Sequence, residues 1–227
     1  MHYLAKTAAA GAHLPTQVVV LYEDDALLVL DKPSGLLSVP GRGEDKQDCL
    51  SARAQARYPN ALIVHRLDMA TSGLMVLARG PDVQRTLNQA FSSRQVKKTY
   101  TAVVDGLLAP GSEAWQTIDL PIIVDWPKRP LRIIDPIHGK PSQTRWRVLS
   151  QDPKARTTRV ELEPITGRSH QLRVHLLAIG HPILGDALYA SPQVQAQAPR
   201  LLLHACALEL AHPLNGQVLQ FSSPPPF

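Results

Sequence analysis

Apolar residues fall in short runs, and their spacing predicts the elements. Residues 18–22 and 26–30 are two near-continuous apolar runs separated by Glu23-Asp24-Asp25, the pattern of two strands joined by a polar turn. A loop shaped by Pro33, Gly35, Pro40 and Gly41 follows, and residues 47–58 carry a helical pattern. Residues 63–68 and 74–78 read as short strands on either side of a polar turn. Residues 82–92 set Leu87 and Phe91 four apart and predict a helix. Residues 99–104, 144–149 and 159–162 alternate or are β-branched, and residues 201–210 are a further strand candidate. Residues 168–179 place Leu172, Leu176 and Ile179 on one helical face, opened by Thr166-Gly167 and closed by Gly180. Strands outnumber helices without alternating regularly with them, so the expected class is a single α+β domain.

Composition narrows the class. A chain of 227 residues supports one large core, and 44% apolar with 19% charged residues excludes a mainly disordered chain. No apolar run approaches the roughly 20 residues of a membrane helix, and residues 1–11 lack a stretch of signal-peptide length, so a cytoplasmic protein with no membrane partner is expected. Cys49 and Cys206 lie far apart and read as two buried thiols. Lys and Arg number 24 against 19 Asp and Glu, a net charge of +5, and Arg outnumbers Lys 16 to 8. Arg grips phosphate bidentately and stacks on bases, so the bias leans toward RNA. Aromatics are only 5%, too few for a platform that stacks many bases.

Four segments carry candidate chemistry. In His65-Arg66-Leu67-Asp68, a strand-like backbone would send Arg66 and Asp68 to one side, next to the tight turn Thr71-Ser72-Gly73. Such a carboxylate is either a nucleophile or base tuned by its neighbours, or half of a surface ion pair capping a hairpin. In the second segment Arg168 opens a helix, with Gln171 and His175 beneath it, where free amides favour an anion; a solvated polar face is the plainer reading. His170 and His175 are five apart with no acidic ligand nearby, so no metal site is expected. Lys97-Lys98-Thr99-Tyr100 leads two cations into a strand, with Tyr100 opposite Thr99. Residues 126–147 hold Lys128, Arg129, Arg132, Lys140, Arg145 and Arg147 against Asp135 alone, an arm suited to phosphates or simply to water. No phosphate loop, Gly-rich dinucleotide turn or G-x-S-x-G is present, so no cofactor is expected.

Together these segments resemble the RluA family of RNA pseudouridine synthases. His65-Arg66-Leu67-Asp68 with Thr71-Ser72-Gly73-Leu74 is similar to that family's signature segment. Lys97-Lys98-Thr99-Tyr100 is similar to its tyrosine motif, and Gly167 through His175 to its arginine motif. Asp31-Lys32-Pro33-Ser34-Gly35-Leu36, His181 through Asp186, Tyr189 and Leu202-Leu203-His204-Ala205 also fit, in the family's order. The resemblance implies the pseudouridine synthase fold, a mixed and mainly antiparallel sheet flanked by helices and loops. The catalytic domain would span residues 17–221, after an extension of residues 1–16 too short for the S4 domain of many relatives and before a Pro-rich tail, residues 222–227.

The implied activity is isomerisation of uridine to pseudouridine, with nothing added or removed. Asp68 would be the nucleophile, Arg168 its ion-pair partner and Tyr100 the ring that stacks on one flipped base and assists proton transfer. Arg66 would fill the gap left by that base, and Leu74 and Leu172 would line the pocket. Lys97, Lys98, Lys128, Arg129, Arg132, Lys140 and Arg145 would meet RNA phosphates. The short form, with residues 37–42, Asp125-Trp126-Pro127 and Gly139-Lys140-Pro141, is most similar to dual-specificity members, so tRNA (an anticodon stem-loop) and 23S rRNA are the expected partners, with no obligate protein partner. A synthase for ribosomal RNA only, an idle RNA-binding protein on this scaffold, and a carboxylate glycosidase, which would need a second acid that no motif supplies, are the alternatives.

Overall fold

A computed structural model of the chain describes residues 18–109 and 114–227. Its centre is a ten-stranded sheet. Strands β1 (Val19–Glu23), β2 (Leu27–Lys32), β3 (Ala61–Ile63) and β4 (Ser72–Arg79) form one half, with helices α1 (Leu50–Arg57) and α2 (Pro81–Ser92) beside them. Strands β5 (Lys97–Asp105), β6 (Gln116–Asp119), β9 (Gln143–Asp152) and β10 (Thr157–Pro164) form the other, under helix α3 (Gln171–Ala178). Strands β7 (Ile122–Val124) and β8 (Arg132–Ile134) make a separate two-stranded ribbon. A short helix α4 (Pro192–Gln195) precedes β11 (Leu203–Ala211), which β12 (Val218–Ser222) flanks.

Burial follows position in the sheet. β4 is inside on both faces, so seven successive residues from Ser72 to Ala78 are buried and the run reads as continuously apolar. β9 and β10 instead alternate, turning Thr144, Trp146 and Val148, and Thr158, Val160 and Leu162, into the core. Helix α2 lays Val83 and Leu87 on the β4 side, while Leu172 and Leu176 of α3 pack over Val160 and Leu162.

The two halves join where β4 meets β11 in the sheet's one parallel pairing among the described residues, Ser72 and Gly73 against His204 and Ala205. This junction requires glycine. Gly73 has φ +112°, and a Cβ there would lie 2.3 Å from the Ala205 carbonyl oxygen. The expected mixed, mainly antiparallel α+β fold is what the structure shows. Several elements differ. The strand expected over residues 63–68 stops at Ile63, and residues 64–71 are loop, so no strand-like backbone sets Arg66 and Asp68 on one side. Helix α3 starts at Gln171, leaving Arg168 in the preceding loop. The ribbon, β6, β12 and α4 are only three to five residues long, too short for a period to be read in advance. Residues 1–16 lie outside the described residues.

Candidate active site

The loop bearing Asp68 is bound along its whole length. At its start His65 Nε2 accepts the Val76 N–H at 2.9 Å, and the imidazole stacks on Phe91 with centroids 4.5 Å apart. Burial, with Lys98 nearby, pulls the His65 pKa down to about 3, so this ring is a neutral strut. The middle of the loop rests on residues 32–38. Ser38 Oγ donates to the Leu67 carbonyl at 2.7 Å, Gly35 N–H to Met69 at 2.8 Å, and Ser34 Oγ to Ala70 at 2.7 Å.

Lys32 is wholly buried, and its Nζ donates to the carbonyls of Pro33, Leu36 and Met69 at 2.9, 2.8 and 3.0 Å. Burial pulls its pKa down to about 7 against the charge of Asp68, yet a set of three acceptors matches the three donors of the ammonium form. The segment Asp31-Lys32-Pro33-Ser34-Gly35-Leu36 is thus the bed of the Asp68 loop, a role that its turn-like composition did not disclose.

Helix α3 brings the cation. Arg173, 4% exposed, places one guanidinium nitrogen 3.4 Å from Asp68 Oδ2. Its other two nitrogens bind Asp186 bidentately at 2.8 and 2.6 Å. Asp186 Oδ1 also accepts the Leu188 and Tyr189 N–H groups at 2.9 and 3.2 Å, which fixes the pair in place. On the other oxygen of Asp68, His170 Nε2 stands 3.9 Å from Oδ1.

Asp68 and Arg173 open into a cleft of about 760 Å³, which Tyr100, Leu172, His170 and Arg168 also line. Arg66, Lys97 and Lys98 stand along it as well, with Arg66 and Lys97 exposed. Tyr100 projects from β5 beside Ala205. Burial, then the charge of Asp68, pushes its hydroxyl above the ordinary phenol range, so the ring is neutral at working pH.

Three expectations change here. Arg168 does not pair with Asp68: its guanidinium reaches the Pro141 carbonyl at 3.4 Å from a loop outside the helix, and Arg173, in the first turn of α3, takes the ion pair. Leu74 does not line the cleft; it is 1% exposed within the core between β4 and α2, since it faces away from the loop. Arg145 is not a free cation: it pairs with Glu163 at 3.1 Å and lies over the Trp115 ring. By contrast Lys128, Arg129 and Lys140 are exposed on or beside the β7–β8 ribbon, whose Arg132 abuts Tyr189. His170 and His175 diverge, because His175 turns inward to Thr144 and the Leu120 carbonyl, each at 2.9 Å. No helix among the described residues is long and apolar enough to cross a membrane.

Buried Arg173 thus holds part-exposed Asp68 at the head of a cleft that Arg66, Lys97, Lys98 and Arg168 make basic. Residues 26–178 match the family model of RNA pseudouridylate synthases, and the chain belongs to that family, whose members are isomerases acting on uridine in RNA. It is 52% identical over 210 residues, 92% of this chain and 94% of the relative, to the dual-specificity RNA pseudouridine synthase RluA of Escherichia coli O6:H1. Identity to the protein of the same name from Pasteurella multocida is 47% over 92% of this chain and 93% of that one. Among solved structures, human RNA pseudouridylate synthase domain containing 1 aligns over 96% of this chain and 87% of its own, with a TM-score of 0.77 and 28% identity. The resemblance carried by the motifs is therefore borne out.

Proposed function

We propose that this chain converts uridine to pseudouridine in a tRNA anticodon stem-loop and in 23S rRNA, with Asp68 as the nucleophile. The observation that carries the reading is the Asp68 carboxylate, held by buried Arg173 at the head of a cleft shared with Tyr100. In the reaction the N1–C1′ bond of uridine breaks and a C5–C1′ bond forms; the C5 proton leaves and N1 gains one, so the composition of the RNA is unchanged. A nucleophile at Asp68 opens this exchange, with Arg173 in the part first expected of Arg168. Tyr100 stacks on the one flipped base, and Arg66 on the cleft rim takes the base's place in the RNA. The two RNAs come from the printed name of relatives that are about half identical over nearly their full length. A cytoplasmic site of action goes with this reading.

The test uses unmodified transcripts of tRNA and 23S rRNA with carbodiimide mapping of pseudouridine. Wild-type protein should modify both. Asp68→Asn should bind each RNA and form no pseudouridine; activity in this variant refutes the assignment. Modification of the ribosomal transcript alone narrows the substrate to rRNA.

A further inference from the structure

His170 is the second group that faces Asp68, and nothing in the mechanism above uses it. Its backbone is in the left-handed region, φ 59° and ψ 14°, an uncommon conformation for a residue with a side chain and one held only where the surroundings dictate it. Here it turns the imidazole out of the α3 axis and between Asp68 and Tyr189. The ring's Nδ1 lies 2.6 Å from the Tyr189 hydroxyl, and Nε2 lies 3.9 Å from Asp68 Oδ1.

The hydrogen-bond inventory suits one tautomer. The Tyr189 oxygen already accepts the Arg132 N–H at 3.0 Å, and its single proton has no acceptor among the described residues other than His170 Nδ1. With Nδ1 accepting that proton, the neutral ring carries its own on Nε2, facing the carboxylate. Burial holds the His170 pKa below its ordinary value even against the charge of Asp68, in keeping with a neutral ring. Tyr189 is itself set by Asp186, which binds its N–H and the Arg173 guanidinium together.

We infer that His170 is a positioning residue for the reaction: its Nε2–H, oriented by the Tyr189 hydroxyl, closes on Asp68 Oδ1 and with Arg173 fixes the carboxylate at both oxygens. The present 3.9 Å is about 1 Å beyond a hydrogen bond, a gap that engaged active sites commonly close on binding substrate. One oxygen tethered by Arg173 alone leaves the carboxylate free to rotate. The inference rests on the reading of Asp68 as nucleophile.

Replacement by the two amides separates the ring's atoms. His170→Gln carries an N–H near the position of Nε2, whereas His170→Asn reaches only the position of Nδ1. Single-turnover rates and RNA affinities are measured for both, with His170→Ala, Tyr189→Phe and Asp68→Asn, on the transcripts that wild-type protein modifies. His170→Asn, His170→Ala and Tyr189→Phe should lose about 10–100-fold in turnover at unchanged RNA affinity, the scale of a misplaced reacting group. His170→Gln should retain most of the rate. Equal losses in His170→Gln and His170→Asn, a loss in affinity instead of turnover, or wild-type turnover in His170→Ala or Tyr189→Phe each overturn the inference. An active Asp68→Asn overturns the reading beneath it, whatever the His170 variants do.

Discussion

The ammonium of Lys32 donates to the main-chain carbonyl of Met69 at 3.0 Å, one residue past Asp68. With Pro33 and Leu36 it has three carbonyl partners and no exposure to water. Lys32→Met keeps the stem of the side chain and strands these acceptors in a dry site. Hydrogen bonds to a charged donor are worth about 1.5–3 kcal/mol each, offset by the cost of burying the ion, so a net loss of roughly 2–4 kcal/mol is expected. Turnover should fall further than stability accounts for, by about 10²-fold, because the loop that aims Asp68 loses its bed. Urea unfolding and turnover below the unfolding transition check this; a variant as stable and as active as wild type removes Lys32 from the argument.

His65 makes acid sensitivity predictable in sign. Its pKa is about 3 in the folded protein because burial disfavours the imidazolium, against about 6.5 when unfolded. Between these values the unfolded chain binds a proton that the native ring refuses, so lowering the pH favours unfolding. The contribution is complete above about pH 6.5 and is lost progressively toward pH 3, at up to about 1.4 kcal/mol per pH unit. His65→Gln keeps an acceptor for the Val76 N–H but does not titrate. Urea midpoints at pH 7 and pH 5 should fall less in the variant than in wild type. Parallel losses would show that His65 is not the source, since His175 and His204, also held low by burial, remain in both proteins.

Gly73→Ala tests the parallel junction. The added Cβ meets the Ala205 backbone, which cannot swing aside as a side chain would, and φ +112° is itself costly for alanine. A loss of at least about 2–3 kcal/mol, roughly 5–10 °C in Tm, is expected. Thermal unfolding within a few degrees of wild type would mean that β4 and β11 part more easily than their spacing implies.

Tyr100 separates fold from chemistry. Its hydroxyl has no hydrogen-bond partner among the described residues, so Tyr100→Phe gives up no structural contact and should match wild type in stability. The same substitution should lower turnover by about 10²–10⁴-fold if the phenol takes part in moving the C5 proton. Burial keeps that phenol protonated, so the loss should not recover between pH 7 and 9. Wild-type turnover excludes an obligatory proton-transfer role and leaves only stacking.

The strands with long apolar or alternating runs, β2, β4, β5, β9 and β10, were legible because burial dictates their period. So was Asp68, through the small-residue turn that follows it. Which arginine meets it was not legible. Arg168 and Arg173 are five apart in one motif, and the choice depends on where α3 begins and on Asp186, thirteen residues further along, drawing Arg173 beneath the loop. The left-handed backbone at His170, which breaks the expected helix three residues into its start, has no hydrophobic signature. The bed under Asp68 was equally hidden, because Lys32 is a surface residue by type and an interior one only when three carbonyls converge on it.

The same distinction between paired and free cations governs RNA affinity. Lys128, Arg129 and Lys140 are exposed near the ribbon and have no carboxylate partner among the described residues, Arg129 lying over the Trp126 ring, whereas Arg145 and Arg147 are tied to Glu163 and Glu161 at 3.1 and 2.5 Å and lie over the Trp115 ring. A phosphate contact shows itself in the slope of log K against log salt, about 0.7–0.9 for each contact according to strandedness. Lys128→Ala, Arg129→Ala and Lys140→Ala should each reduce the slope by about that amount. Arg145→Ala should leave it unchanged and lower stability instead, by the roughly 0.2–1 kcal/mol of a part-exposed pair, because no phosphate reaches a guanidinium already held between a carboxylate and an indole. Titrating RNA binding between 50 and 300 mM KCl decides the matter. An equal slope change in Arg145→Ala would mean that RNA displaces Glu163, and an unchanged slope in all three ribbon variants would move the phosphate contacts to the cleft rim at Arg66, Lys97 and Lys98.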